Sequence, residues 1–374
     1  MSYYILPKNN NIIHINPLDN KLNSLPYISH SLYNYYNKIR NDIDNICLNE
    51  TDLSINYFDE LIKIVNPYEY IFSKVPGSKF SVSKLKPKSN VFYDFLEVST
   101  TINIFESFKT HPVKTLHFTP NYSDTIECFE MLRENFNDEI IYYNEINEDN
   151  MKYIENNKFN FLFVDVYSTN FTKYVSNLIQ CLMLIYKNQE YYGTCVIKLN
   201  HVFHKPVVDF LYILSSLYEK VYIFKPNTSN ITTFDKYIVC KNFKKNESSH
   251  LQYKCNYYRL LVFLKKLENK NVYSILDFDI PNYFLVKIDD MNIIIGQQQL
   301  ESLDIIINIL KNKNKEDKIE TITKSNIQKS VAWCEKYKIP CNKFSEKINI
   351  FLPINKESNE FTDTTHTLED LTNL

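Results

Sequence analysis

Glycine is nearly missing. The chain has three in 374 residues, at Gly77, Gly193 and Gly296, where average usage is about 7%. Three isolated glycines cannot form a P-loop or a GxGxxG turn, so nucleotide-binding classes built on those turns are excluded. Long apolar runs are also missing: no stretch approaches the ~20 residues of a membrane span. The opening MSYYILPKNN has no basic segment leading into an apolar one, so no secretory leader is expected. The eight cysteines include no CxxC pair, which points to reduced thiols. Cys128, Cys181, Cys195 and Cys240 lie in apolar segments and are expected in the core. The 42 basic and 44 acidic residues leave a net charge of -2. That balance gives no global pull toward nucleic acid, so any RNA contact must come from a local patch.

What is present suits a globular chain. Hydrophobic residues make up 44%, enough for a sizeable core in two domains or one elaborated domain. Residues 1–25 are polar and Asn-rich and predict an extended arm. Apolar spacing predicts helices over 32–46 and up to Val65, the second capped by Asp52 or Ser54 and stopped at Asn66-Pro67. A basic loop, 74–88, and a helix over 89–109 follow. Strands and helices then alternate. Strands are expected at 113–119, 139–143, 159–166, 194–199, 220–225 and 236–240, with helices at 124–136, 171–188 and 206–218. This alternation predicts a parallel α/β sheet, and the short connection between the last two strands suggests one antiparallel edge strand. KKNESSH at 244–250 marks a boundary. Beyond it, helices are expected at 256–268 and 297–313, a β-like stretch at 283–295, a charged loop at 311–318 and a disordered acidic tail from 354.

The stretch from Gly193 to Phe243 resembles the FtsJ-like (RrmJ-type) ribose 2'-O-methyltransferases, and more closely the branch encoded by large cytoplasmic DNA viruses. A strand ends at Lys198, a helix follows, Lys225-Pro226 leads into the loop 227–234, and Asp235 opens the last strand. Upstream, NPYEYIF, PGSKFSVSKLKP, the helix at 89–97 and TLH…IECFEMLR have matching order, so the resemblance covers roughly residues 66–243. It implies a Rossmann-like methyltransferase sheet at 66–243. An N-terminal arm and helices (1–65), a mainly helical region (250–353) and a tail (354–374) surround it. The family's Lys-Asp-Lys-Glu tetrad orients a ribose 2'-hydroxyl and lowers the pKa of one lysine, so that a neutral amine takes the proton. Carried over by position, the first lysine is replaced by Asp94, the aspartate is Asp165, the second lysine is Lys198, and the glutamate is Asp235.

The family's glycine-rich turn for S-adenosyl-L-methionine (AdoMet) corresponds to Pro120, Asn121, Tyr122, Ser123, Asp124 and Thr125. Every glycine is gone, and Tyr122 and Ser123 add bulk. The resemblance therefore implies a degenerate RNA-cap methyltransferase homologue with weak or no AdoMet binding. The alternatives are a non-catalytic scaffold or stimulatory subunit and a live enzyme in which Lys86 or Lys88 replaces the missing lysine. Capped mRNA and viral capping or transcription proteins are the implied partners, in host cytoplasm or packaged in the virion. Lys79, Lys84, Lys86 and Lys88, with Phe80 among them, are candidate RNA contacts. A solvated basic loop and a purely structural Lys198–Asp165 or Lys198–Asp235 pair are the bland readings. His201 and His204 lack a third ligand at matching spacing, so no metal is expected. Trp333 is expected to anchor a helix.

Overall fold

The structure, a computed structural model, describes residues 3–20, 25–49, 55–155, 157–244, 250–267, 271–311 and 316–342. In chain order come β1 (Tyr3–Ile5), β2 (Leu18–Asn20), α1 (His30–Asn49), α2 (Ile55–Val65) and α3 (Val91–Ile102). Then follow β3 (Lys114–Phe118), α4 (Ile126–Leu132), β4 (Glu139–Tyr143), α5 (Glu148–Tyr153), β5 (Phe159–Asp165) and α6 (Phe171–Asn188). β6 (Gln189–Leu199), α7 (Lys205–Leu217), β7 (Tyr218–Phe224) and β8 (Lys236–Phe243) complete the main sheet. α8 (His250–Lys266), β9 (Asn271–Ser274), α9 (Asn282–Lys311) and α10 (Glu316–Lys336) close the described chain.

The seven-stranded sheet runs β1-β7-β8-β6-β5-β3-β4, and β2 pairs with β9 separately. β4, β3, β5 and β6 are parallel. β8 is antiparallel to both β6 and β7. From β3 the chain goes out to β4, then returns to the other side of β3 to lay down β5. The carboxyl ends of β3 and β5 therefore flank a switch in strand order, where α/β sheets form a ligand crevice. This is the α/β arrangement that the alternation predicted and the Rossmann-like sheet that the resemblance implied.

Both faces of the sheet are covered, so its strands read as continuous apolar runs. On β5, Leu162 and Val164 join the core cluster shared with α6 and α7, including Leu178, Leu182, Phe210 and Leu214. The alternate residues Phe161 and Phe163 meet Phe95 of α3 on the opposite face. Leu260 of α8 and Phe284, Ile288 and Met291 of α9 belong to the first cluster, so the C-terminal helices are packed against the sheet. Cys128, Cys181, Cys195 and Cys240 are buried thiols, as expected. No helix among the described residues is long and apolar enough to cross a membrane.

Four expectations change. The antiparallel strand β8 lies inside the sheet. The edge beyond β7 is β1, taken from the arm read as merely extended, and β2 from the same arm pairs with β9. Those arm strands are three residues each and gain pairing partners only from distant segments, so local pattern cannot reveal them. Residues 283–295 are helical: the Ile-rich run mimics a strand, but Phe284, Ile288, Met291 and Ile295 recur at helical spacing and are the buried set. The helix expected at 89–109 breaks at Asn103, whose left-handed backbone (φ 51°) caps α3. The suggested cap residues Asp52 and Ser54, the boundary residues 245–249 and the acidic tail lie outside the described residues.

Scarce glycine shows where backbone approach is closest. A Cβ on Gly193 would sit 2.7 Å from the carbonyl oxygen of Asn160 and 2.8 Å from that of Glu190. The β5–β6 register shifts beside it, between the Phe159↔Gln189 and Phe161↔Thr194 pairs. Neither oxygen can move without disturbing the sheet. Gly193→Ala is therefore expected to cost about 2 kcal/mol of stability, as overpacking in a core does. Urea unfolding reads it out, and a loss under half a kcal/mol would show that β6 tolerates the methyl group.

Candidate functional site

β5, β6 and β8 bring a row of polar side chains to one end of the sheet. Asp165 ends β5 and is registered against Lys198 on β6. Lys198 is registered in turn against Tyr237 on β8. Asp235 stands just before β8, two residues from Tyr237. The Lys198 ammonium donates to Asp165 Oδ2 at 3.1 Å, with the side chains 18% and 5% exposed. Burial pulls the Lys198 pKa down, but the carboxylates of Asp165, Asp235 and Asp94 outweigh it and hold the value above 10.5. Lys198 is thus an ammonium at neutral pH.

Asp94 comes from α3, which covers this end of the sheet. Thr228 Oγ1 donates to its Oδ1 at 2.5 Å and the Tyr237 hydroxyl donates to its Oδ2 at 3.3 Å. Burial raises its pKa to about 6, partly offset by the Thr228 bond and by Lys198 and Lys225. Lys225 is pushed down to about 8 by burial, and its ammonium donates to the carbonyls of Asn230 and Thr233 at 2.9 and 3.0 Å. Lys236 is pushed down to about 7 by burial and by repulsion from Lys225. All three sequence-predicted positions in the sheet, and Asp94, therefore gather in one electrostatic cluster.

Sequence reasoning missed Glu97, one turn beyond Asp94. Its fully buried carboxylate accepts from Asn227 N at 3.1 Å, Asn227 Nδ2 at 2.6 Å, Thr228 N at 3.4 Å and Trp333 Nε1 at 3.0 Å. Glu97 thereby ties α3 to the loop that bonds Asp94, and both to α10. Trp333 anchors α10, as expected. The available signal was two acids spaced i, i+3 in an otherwise apolar helix, VFYDFLEVSTTI.

The corner after β3 is closed on itself. Asp124 is buried, and its carboxylate accepts from Ser89 Oγ at 2.5 Å, Thr119 Oγ1 at 2.8 Å and Asn121 N at 3.2 Å. Asn121 and Asp124 form a reciprocal capping box around the 3₁₀ turn Tyr122–Asp124. No residue between 119 and 125 has a left-handed backbone. Tyr122 stacks edge-on against Tyr142, with ring centroids 5.4 Å apart. Pro120, Asn121 and Tyr122 are exposed and Ser123 is half-buried. A donor nucleoside needs backbone approach and free polar groups at this rim. Here the buried Asp124 carboxylate and the Asn121 amide are bonded to each other.

The basic loop reaches this corner through Ser89. Lys79, Lys84, Lys86 and Lys88 are all exposed, as is Phe80. Lys86 places its ammonium over the Phe80 ring, 5.8 Å from the centroid. The Lys88 amide donates to Glu127 at 3.2 Å. The His201 and His204 rings lie 5.1 Å apart within an aromatic group containing Phe171, and burial lowers the His201 pKa to about 3. Among the described residues, no group of three or more His, Cys, Asp or Glu is placed to hold a metal ion.

The buried pair carries a testable consequence. Lys198→Met leaves Asp165 and its neighbouring acids without their shared cation and should cost about 3 kcal/mol. Lys198→Met combined with Asp165→Asn should lose less than half of that. Urea denaturation at pH 7 compares them; equal losses for the single and double variants would remove the pair from the account.

Residues 124–243 match the FtsJ-like methyltransferase family. No curated protein matches the chain. Among solved structures, a Plasmodium falciparum protein described as a ribosomal RNA methyltransferase is 14% identical, with a TM-score of 0.34, over 42% of this chain and 100% of that one. A Haemonchus contortus phosphoethanolamine N-methyltransferase 2 bound to S-adenosylhomocysteine is 13% identical, with a TM-score of 0.28, over 47% of this chain and 44% of that one. The same enzyme bound to S-adenosyl-L-methionine is 11% identical, with a TM-score of 0.28, over 47% and 45%. The family match thus falls on the segment that runs from α4 through β8, within a Rossmann-like sheet, and there the chain is similar to FtsJ-like methyltransferases.

Proposed function

We propose that this chain is a degenerate homologue of the RNA ribose 2'-O-methyltransferases, from a large DNA virus. It retains the sheet as a scaffold within an mRNA capping or transcription complex and binds AdoMet weakly or not at all. The observation that carries this reading is the sign of the charge at Asp94. A lysine beside Lys198 would repel its proton and favour the neutral amine that accepts a proton from a hydroxyl. Asp94 does the reverse and, with Asp165 and Asp235, holds Lys198 as an ammonium. The self-bonded corner at 119–125 supports the same conclusion from the cofactor side.

What the residues do instead is hold. Lys198 neutralises two strand ends and α3, and Glu97 fixes the loop 227–228 beside them. RNA is the proposed ligand, taken by the exposed lysines and Phe80 of the basic loop, where ammonium groups meet phosphate and a ring offers a stacking face. Packaging in the virion and residence in host cytoplasm belong to the same reading.

Millimolar AdoMet should leave the melting temperature unchanged. A donor at 100 times its Kd would add about 2.7 kcal/mol, so a rise of several degrees would restore the active-enzyme reading. Replacing Lys79, Lys84, Lys86 and Lys88 by Gln should weaken binding of capped RNA at least tenfold and flatten its dependence on salt. Filter binding across a salt series checks this, and unchanged affinity and slope would take RNA out of the function.

A further inference from the structure

Among the described residues, no strand pairs with the far edge of the sheet. β1 is the last strand beyond β7. The Leu6 amide donates to the Val221 carbonyl at 2.9 Å, and the register pairs Ile5 with Tyr222 and Tyr4 with Ile223. Antiparallel pairing alternates, so Tyr4 and Leu6 direct their backbone groups to β7, while Tyr3 and Ile5 direct theirs outward. Their side chains are also exposed, at 46% and 55%. β1 is short, three residues, but carries neither charge nor bulge, the other devices that blunt exposed strands.

A groove of about 450 Å³ runs beside the edge, with Tyr3, Tyr4, Ile5 and Leu6 on one wall and Lys287, Asp290, Ile293 and Ile294 of α9 on the other. The same helix exposes Tyr283 and Val286. The Tyr4 hydroxyl is enclosed yet has no hydrogen-bond partner among the described residues. Strand edge, apolar helix face and an unanswered hydroxyl therefore coincide.

We propose that a second copy of this chain covers this face, forming a twofold dimer through β1 and α9. The surface is self-complementary, as an isologous interface requires. A twofold axis through Tyr4 pairs Tyr3 of one copy with Ile5 of the other. Those residues hold the outward donors and acceptors, so both sets are satisfied. Antiparallel α9 helices bring Lys287 opposite Asp290 of the second copy and Tyr283 opposite Ile294. Opposite charges three residues apart, framed by apolar side chains, supply their own complement. This dimer does not depend on whether the chain methylates RNA.

Sedimentation equilibrium of the full chain at micromolar concentrations should give twice the chain mass. Ile5→Pro removes only an outward amide, so it leaves the pairing with β7 intact and should yield a folded monomer, as circular dichroism would verify. Lys287→Glu should weaken association about tenfold or more, since it sets like charges across the axis, and adding Asp290→Lys should restore it. Hydrogen exchange at Tyr3 and Ile5 should accelerate on dilution. A wild type that stays monomeric throughout, or a dimer equally strong in Ile5→Pro and Lys287→Glu, would overturn the proposal.

Discussion

A charge set into the end of a buried sheet must be neutralised by whatever the fold can bring to it. At the carboxyl ends of β5 and β6 that charge is the Lys198 ammonium, and its counter-charges come from three separate elements. Asp165 closes the neighbouring strand, Asp235 precedes β8, and Asp94 descends from α3. Asp165 pairs the lysine directly, and an unpaired buried ion would cost several kcal/mol. α3 is held over the sheet by Phe95 packing on Phe161 and Phe163 and by the bonds of Asp94 to Thr228 and Tyr237. The same arrangement sets the electrostatics of Lys198: three acids around one lysine favour its charged form.

The second link in this chain of constraints is Glu97. A fully buried carboxylate survives only with its lone pairs satisfied, and Glu97 takes donors from a loop and from an indole far along the sequence. Its burial raises its pKa, while Trp333 and Asn227 pull it back down. Through it, α10 supports the loop that bonds Asp94. The region beyond the sheet, which carries no recognisable chemical motif, thereby becomes part of the site's support.

Glycine scarcity has a structural counterpart. Among the described residues, Gly77 takes one positive-φ position, and Ser29, Asn103, Tyr192, Asn242 and Lys338 take others at a steric cost that glycine would avoid. At the corner after β3 the chain does not adopt that geometry at all. It forms a tight 3₁₀ turn whose polar groups answer one another.

Much of the core architecture was legible. The apolar run FNFLFVD, the amphipathic α6 and α7 and the Lys198 strand end each announce themselves by local pattern, since burial on one or both faces imposes a period on the residues. Asp94, Asp165, Lys198 and Asp235 were identifiable from their collinear order. Other features were not legible, because they depend on partners remote in sequence. Ile5 becomes an edge residue only when β7 arrives beside it. The run NIII at 292–295 becomes helical only because Ile288, Met291 and Ile295 find a core to enter. Composition and spacing thus determined the element types and which residues carry charge at the strand ends. Tertiary structure alone decided that three acids surround Lys198, that Asp124 is bonded within its own turn and that no described strand pairs with the outer side of β1. Each of those outcomes rests on distances between groups that the linear chain does not hold together.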